Sequence, residues 1–128
     1  MNKMNYQYNF EKLEIWELAI EMSVSIYSIT KDFPKEEKFG LVSQLRRASN
    51  SISANIAEGN ARLGEKDKAR FIQIAYGSTI EVLNHLILAQ KLGFIDEKTL
   101  NELRIKIQEL TNKLNSFHNS IQKKQNKQ

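Results

Sequence analysis

Ten polar side chains gather between residues 46 and 81, and their types limit the chemistry open to this sequence. They are Arg46, Arg47, Asn50, Asn55, Glu58, Arg62, Arg70, Tyr76, Ser78 and Glu81. A guanidinium group is a planar fork of donors that holds phosphate or carboxylate through paired hydrogen bonds. Two uses of the set are therefore open. The arginines can line a positive stripe on which nucleic-acid phosphates sit. Alternatively, Arg46 or Arg47 meets Glu81, and Arg62 or Arg70 meets Glu58, within or between subunits. A buried charge left without a partner is strongly destabilising. Pairing is thus expected for Arg46, Asn55, Glu58 and Glu81, as a structural polar network. Arg47, Arg62, Lys66, Lys68 and Arg70 are the candidate nucleic-acid contacts, because linker and helix-start positions stay accessible.

Other chemistries find no footing. Helical bundles that hold two metal ions carry Glu-x-x-His pairs on facing helices, and neither His85 nor His118 has a Glu three residues before it. Glu81 and His85 are one helical turn apart, but two ligands make no site. No Cys is present, so thiolate sites and disulfides are excluded. There is no Gly-x-Ser-x-Gly elbow and no phosphate-binding P-loop. Helical ribonucleases of toxin systems place a His about one turn after an Arg, whereas Arg70 is followed by Ile74, Ala75 and Tyr76, and Arg104 by Glu109 and Leu110. No catalytic residue, metal or cofactor is expected, and the protein is expected not to be an enzyme.

Four helices must position these groups. In the first, from about Lys12 to Lys31, Ile15, Ala19, Met22, Ile26, Ile29 and Phe33 alternate steps of four and three, a heptad seam. Pro34 ends it, since proline disfavours helix in the residue before it. The second is expected from Lys35 or Glu36, where acidic residues suit the helix dipole, to Gly59, taken as a left-handed cap. Its apolar stripe is Leu41, Leu45, Ala48, Ile52 and Ile56. Its many serines and asparagines are poor helix formers, which points to close packing and specific hydrogen bonds.

After the polar linker NARLGEKDK, the third helix runs from about Lys66 to Leu92 and stops at Gly93. The fourth starts after the N-cap Asp96 and carries Leu100, Leu103, Ile107, Leu110, Leu114, Phe117 and Ile121. Short connections force neighbouring helices to run antiparallel. The expected fold is all-α, an up-down-up-down four-helix bundle.

The third helix has apolar residues on every side. One seam is Ile72, Tyr76, Thr79, Leu83, Leu86 and Gln90; nearly opposite lie Ile74, Ser78, Glu81, His85, Leu88 and Leu92. A helix apolar all round is buried all round. Ile74, Ser78, His85, Leu88 and Leu92 are therefore expected to form an interface with another copy of the chain.

A length of 128 residues suits one domain. Residues 12–122 are assigned to the bundle, 1–11 to an N-terminal arm whose Tyr6, Tyr8 and Phe10 alternate, and 123–128 to a basic, disordered tail. One Pro and five Gly are too few for a turn-rich β fold. No apolar run approaches the roughly 20 residues of a membrane span, and the first ten residues lack a signal peptide's apolar region. A cytoplasmic protein with no membrane contact is expected. The net charge of +4 is uneven: residues 1–30 carry an acidic excess, and residues 91–128 a basic one.

The segment QLRRASNSISANIAEG, residues 44–59, carries a resemblance, supported by FEKLEIWELAIEM and DFPKEEKFGL before it and RFIQIAYGSTIEVLNHLILAQKLGFI after it. From about Phe10 to about Ile121 the chain resembles small bacterial four-helix-bundle proteins often encoded in intervening sequences of large-subunit ribosomal RNA genes. That resemblance implies a left-handed antiparallel bundle assembling with itself into a ring, typically a homopentamer. More distantly, the chain resembles the accessory variability proteins of diversity-generating retroelements, basic pentamers that bind nucleic acid and a reverse transcriptase. The expected function is a non-enzymatic, homo-oligomeric binding or scaffold protein contacting RNA or DNA through phosphates. The alternative is an adaptor for a protein partner, such as a reverse transcriptase or ribosome-associated factor, without nucleic-acid affinity.

Overall fold

The heptad seams become four helices in the computed structural model, which describes residues 5–127. The helices are α1 (Glu14–Thr30), α2 (Leu41–Ala61), α3 (Glu65–Lys91) and α4 (Glu97–Lys127), with no strand among the described residues. They form a four-helix bundle around one core. Met22, Ile26, Leu45, Ile52, Ile56, Val82, Leu86, Leu110 and Leu114 are its large, fully buried side chains.

In α1, Glu14 and Glu17 complement the positive end of the helix dipole. Ile15, Ala19, Met22 and Ile26 face inward, as their spacing requires. Phe33, in the connection after α1, is buried, and its ring lies 5.5 Å from that of Phe94 in the α3–α4 connection. The two connections thus close one end of the bundle with an aromatic pair.

The second helix begins later than expected. Lys35–Glu37 form a single 3-10 turn, and α2 starts at Leu41 after Gly40, whose φ of −108° and ψ of −111° lie outside the helical region. Nothing between Phe33 and Leu41 is buried to anchor an earlier start, and Phe39 is largely exposed. The acidic residues still serve the helix, because the Leu41 N–H donates to Glu37 Oε1 at 3.0 Å.

Gly59 is not a left-handed cap. It lies inside α2, which continues to Ala61, and the positive-φ residue among those described is Gly93, at φ +82°. The role of Gly59 is steric. A Cβ there would stand 2.7 Å from Phe71 Cβ, so its absence lets α2 and α3 approach closely. The true left-handed cap ends α3: the Gly93 N–H donates to the Gln90 carbonyl at 3.0 Å and the Phe94 N–H to the Ala89 carbonyl at 2.9 Å. This pair of bonds is the Schellman motif.

The inward stripe of α3 is also shifted from the expected seam. Ile72, Thr79 and Leu86 are buried as expected, but Ala75, Val82 and Ala89 complete the stripe, while Tyr76 and Leu83 are only partly buried. In α2, Ala48, Ser49, Ser53 and Gly59 are small and likewise buried, and Gly59 lies directly against Phe71 of α3. Packing of small side chains favours this register over one led by the bulkier residues. Ser49 and Ser53 satisfy their hydroxyls on carbonyls of their own helix, Arg46 at 3.0 Å and Asn50 at 3.4 Å.

Asp96 caps α4 as expected, accepting from the Thr99 N–H at 2.7 Å. The helix runs on to Lys127, so residues 123–127, assigned to a disordered tail, are helical; Gln128 lies outside the described residues, as do residues 1–4 of the arm. Of the rest of the arm, Tyr6 and Tyr8 are exposed and the part from Asn9 onward is tied to the bundle. Asn9–Lys12 form a 3-10 turn, the Phe10 ring meets Trp16 at 5.2 Å, and Asn9 Nδ2 donates to Asn60 Oδ1 at 3.4 Å. No helix among the described residues is long and apolar enough to cross a membrane.

Candidate nucleic-acid interface

Arg46 and Arg47 are neighbours in sequence but point to different helices, being about 100° apart around α2. Arg46 faces α1. Its Nε donates to Thr30 Oγ1 at 3.0 Å, a second nitrogen reaches the Tyr27 carbonyl at 3.5 Å, and the guanidinium lies 4.5 Å from the centre of the Tyr27 ring. A cation is thereby placed at the negative end of α1, where unpaired carbonyls need donors. Asn50 joins the same seam by donating to the Tyr27 hydroxyl at 2.9 Å.

Arg47 faces α3 and pairs with Glu81, which also meets His85 Nε2 at 3.1 Å. Burial raises the pKa of the Glu81 carboxyl, but hydrogen bonds from His85 and Arg47, with their charges, outweigh it and hold the group below its ordinary 4.5. One helical turn further along α2, Ser51 shares a hydrogen bond with Ser78 at 2.9 Å, and Asn55 donates to the Ser51 carbonyl at 2.7 Å. Of the two partners open to Glu81, the structure therefore selects Arg47, and Arg46 serves α1.

The remaining candidate cations converge on the α2–α3 turn. Arg62 meets Glu58 at 3.7 Å and Arg70 meets Asp67 at 3.3 Å. Both guanidiniums also stack near Phe71, 4.7 and 4.6 Å from its ring centre. Lys68 donates to the Asn60 carbonyl at 2.9 Å, near the C-terminal end of α2. Lys66 is exposed and makes no ion pair among the described residues. Arg47 stands apart, 15 residues or about 22 Å along α2 from Arg62.

Sequence reasoning missed what joins this cluster. The end of α4 lies beside the start of α3, so Gln122 and Gln125 help line a 660 Å³ cleft with Lys66, Asp67 and Arg70. A neighbouring cleft of 270 Å³ brings Lys124 and Ser120 to Lys68 and Asn60. The basic end of the chain and the basic linker share one end of the bundle. The lengths of the last two helices and the short loop between them were the available signal.

The expected interface residues divide. Ile74, Leu88 and Leu92 are exposed, at 39, 46 and 53 % of their surface. Ser78 is bonded to Ser51, and the His85 side chain is mostly covered. Among the described residues, no three His, Asp or Glu side chains gather as a metal-holding group.

The model of the family described as 23S rRNA-intervening sequence protein matches residues 11–116. The chain belongs to that family. A similar solved structure is the crystal structure of a protein of unknown function from the S23 ribosomal protein family, from Bacteroides thetaiotaomicron VPI-5482. It shares 22% identity at a TM-score of 0.75, over 81% of this chain and 97% of that one, and so establishes likeness of fold. No curated protein matches the chain.

Proposed function

We propose that this member of the 23S rRNA-intervening sequence protein family is a non-enzymatic cytoplasmic scaffold that holds RNA or DNA by its phosphates. The reading takes the bundle as left-handed and antiparallel, up-down-up-down, and assembled into a homo-oligomeric ring, a pentamer by its family resemblance. Antiparallel order is supported by contacts whose numbers rise along α2 as they fall along α3: Arg47 with Glu81, Ser51 with Ser78, Gly59 with Phe71. Ring assembly is supported by the exposed Ile74, Leu88 and Leu92 on one side of α3.

The observation that carries the phosphate reading is the cluster of Arg62, Lys66, Lys68 and Arg70 beside Lys124 at one end of the bundle. The ion pairs of Arg62 and Arg70 are solvent-exposed. Exposed pairs of this kind contribute about 0–1 kcal/mol, so a phosphate can displace the carboxylate. In a ring, each subunit repeats the patch, and weak single contacts sum through multivalency.

The test is binding of labelled RNA and duplex DNA across a salt series, for wild type and for Arg62→Gln, Lys66→Gln and Arg70→Gln combined. Counterion release predicts affinity falling steeply with salt, and a log–log slope shallower by about one for each cation that contacts a phosphate. Absence of wild-type binding at low salt would remove the phosphate reading and favour the protein-partner adaptor.

A further inference from the structure

A third cleft, of about 340 Å³, continues the α3–α4 groove of the 660 Å³ cleft beyond Gln73, which lines these two. Its volume is at the lower end of small-ligand sites. Ile72 and Leu114 give it an apolar floor, and Gln73, Tyr76, Gly77, Asn115 and His118 form the rest of its wall. The carboxamides of Gln73 and Asn115 make no hydrogen bond among the described residues. His118 Nε2 is shielded from solvent yet has no partner among the described residues. Buried polar atoms are nearly always bonded; of the three unpartnered ones among the described residues, with Ser23 Oγ and His85 Nδ1, this is the one beside the cleft, and it gains a partner there if the ring turns.

Gly77 makes the second argument. Glycine is the poorest helix former after proline, yet Gly77 sits deep within the 27-residue α3. Gly59 is explained by Phe71; at Gly77 a Cβ would meet nothing within 4 Å. No contact among the described residues requires a bare backbone here, while a flat ligand lying on the helix would.

We propose that this cleft binds a nucleobase, with adenine preferred. Tyr76 supplies an aromatic face for stacking, and Gly77 lets the ring lie against the helix. A carboxamide of Gln73 or Asn115 matches the Hoogsteen edge of adenine, donating to N7 and accepting from the N6 amine. The His118 ring closes the wall and would offer Nε2 to the base by turning toward the cleft. The base can belong to a free nucleoside or nucleotide, or to an unpaired position in a strand. For the strand, the proposal rests on the phosphate reading: Arg70 lies about 10 Å along α3 from Gly77, where it would hold the backbone next to the bound base.

The experiment uses the full chain in three arms. Adenosine, which carries no phosphate, is titrated into isotope-labelled protein and followed by NMR. Oligoadenylate and an abasic strand of equal length are compared for binding at one salt concentration. Both measurements are repeated on Gly77→Leu, which fills the cleft with a better helix former, and on His118→Leu, with helical content checked by circular dichroism. Shifts at Tyr76, Gly77 and His118 with adenosine, or a tenfold or greater preference for oligoadenylate over the abasic strand, support the site when lost in either folded variant. Shifts alone identify a free nucleoside as the ligand, and preference alone a base carried by a strand. Equal binding of the two strands with no adenosine shift overturns the cleft and leaves the phosphate surface standing; no binding of any probe overturns both.

Discussion

Two glycines in helix interiors should respond to the same substitution with opposite sign. Alanine gains about 0.8–1.0 kcal/mol over glycine in a helix interior. At Gly77 nothing opposes that gain, because the new Cβ meets no atom within 4 Å. At Gly59 the new Cβ would lie 2.7 Å from Phe71 Cβ, well inside the roughly 3.5–4.0 Å at which carbons attract. Phe71 Cβ is tied to the α3 backbone, so relief requires the helices to separate rather than a side chain to rotate. Overpacking of that kind costs about 1–3 kcal/mol. Gly77→Ala should therefore be more stable than wild type by up to about 1 kcal/mol, and Gly59→Ala less stable by about 1 kcal/mol. The propensity contribution is common to both, so the gap between them, about 1–3 kcal/mol, isolates the packing at Gly59. Urea denaturation at one fixed protein concentration measures it, since an oligomer's apparent stability varies with concentration. A Gly59→Ala midpoint equal to or above that of Gly77→Ala, at unchanged m, would refute the close approach of α2 and α3.

Gly93→Ala should lose about 1–2 kcal/mol in the same assay, because φ +82° forces a side chain into the left-handed region. Glu81→Gln should flatten the acid limb of the stability curve. The lowered carboxyl pKa of Glu81 contributes stability that is fully present above the ordinary 4.5 and lost as pH falls through the folded value, so an unchanged profile below pH 4.5 would argue against the Arg47–Glu81–His85 cluster. Leu88→Glu should dissociate the oligomer by placing a charge on the exposed apolar side of α3; light scattering that finds wild type at 14.9 kDa would refute the assembly itself.

Periodicity served best where one residue type dominated one face. The α1 and α4 seams have large apolar residues at nearly every inward position, and the α3–α4 connection announces itself with Gly93 and Asp96. It served less well where small residues do the packing. Ala75, Ala89, Ser49, Ser53 and Gly59 are buried because two helices approach each other, a fact about pairs that no single helix displays. Read alone, Gly59 looked like a terminus, because a glycine after an apolar stripe usually ends a helix. What decided its role was a phenylalanine twelve residues on.

The candidate site was legible as a set of residue types, but not as a set of partners. Much of the polar segment is used inside the fold: Arg46 ties α2 to α1, Arg47 and Ser51 tie it to α3, and Asn55 bonds within its own helix. The cations at the α2–α3 turn have a different condition. Arg62 and Arg70 both stand within 4.7 Å of the Phe71 ring centre, so they are at most about 9 Å apart, within a Debye length of about 10 Å, and repel unless an anion lies between or beside them. A guanidinium stacked on an aromatic ring keeps its in-plane donors free. Stacking on Phe71 thus restrains two forks in the free protein, and would reduce the side-chain entropy lost on binding a phosphate. The exposed carboxylates of Glu58 and Asp67 are the occupants a phosphate would replace, and Lys66, with no ion-pair partner among the described residues, adds charge to the cleft that Asp67 and Arg70 also line.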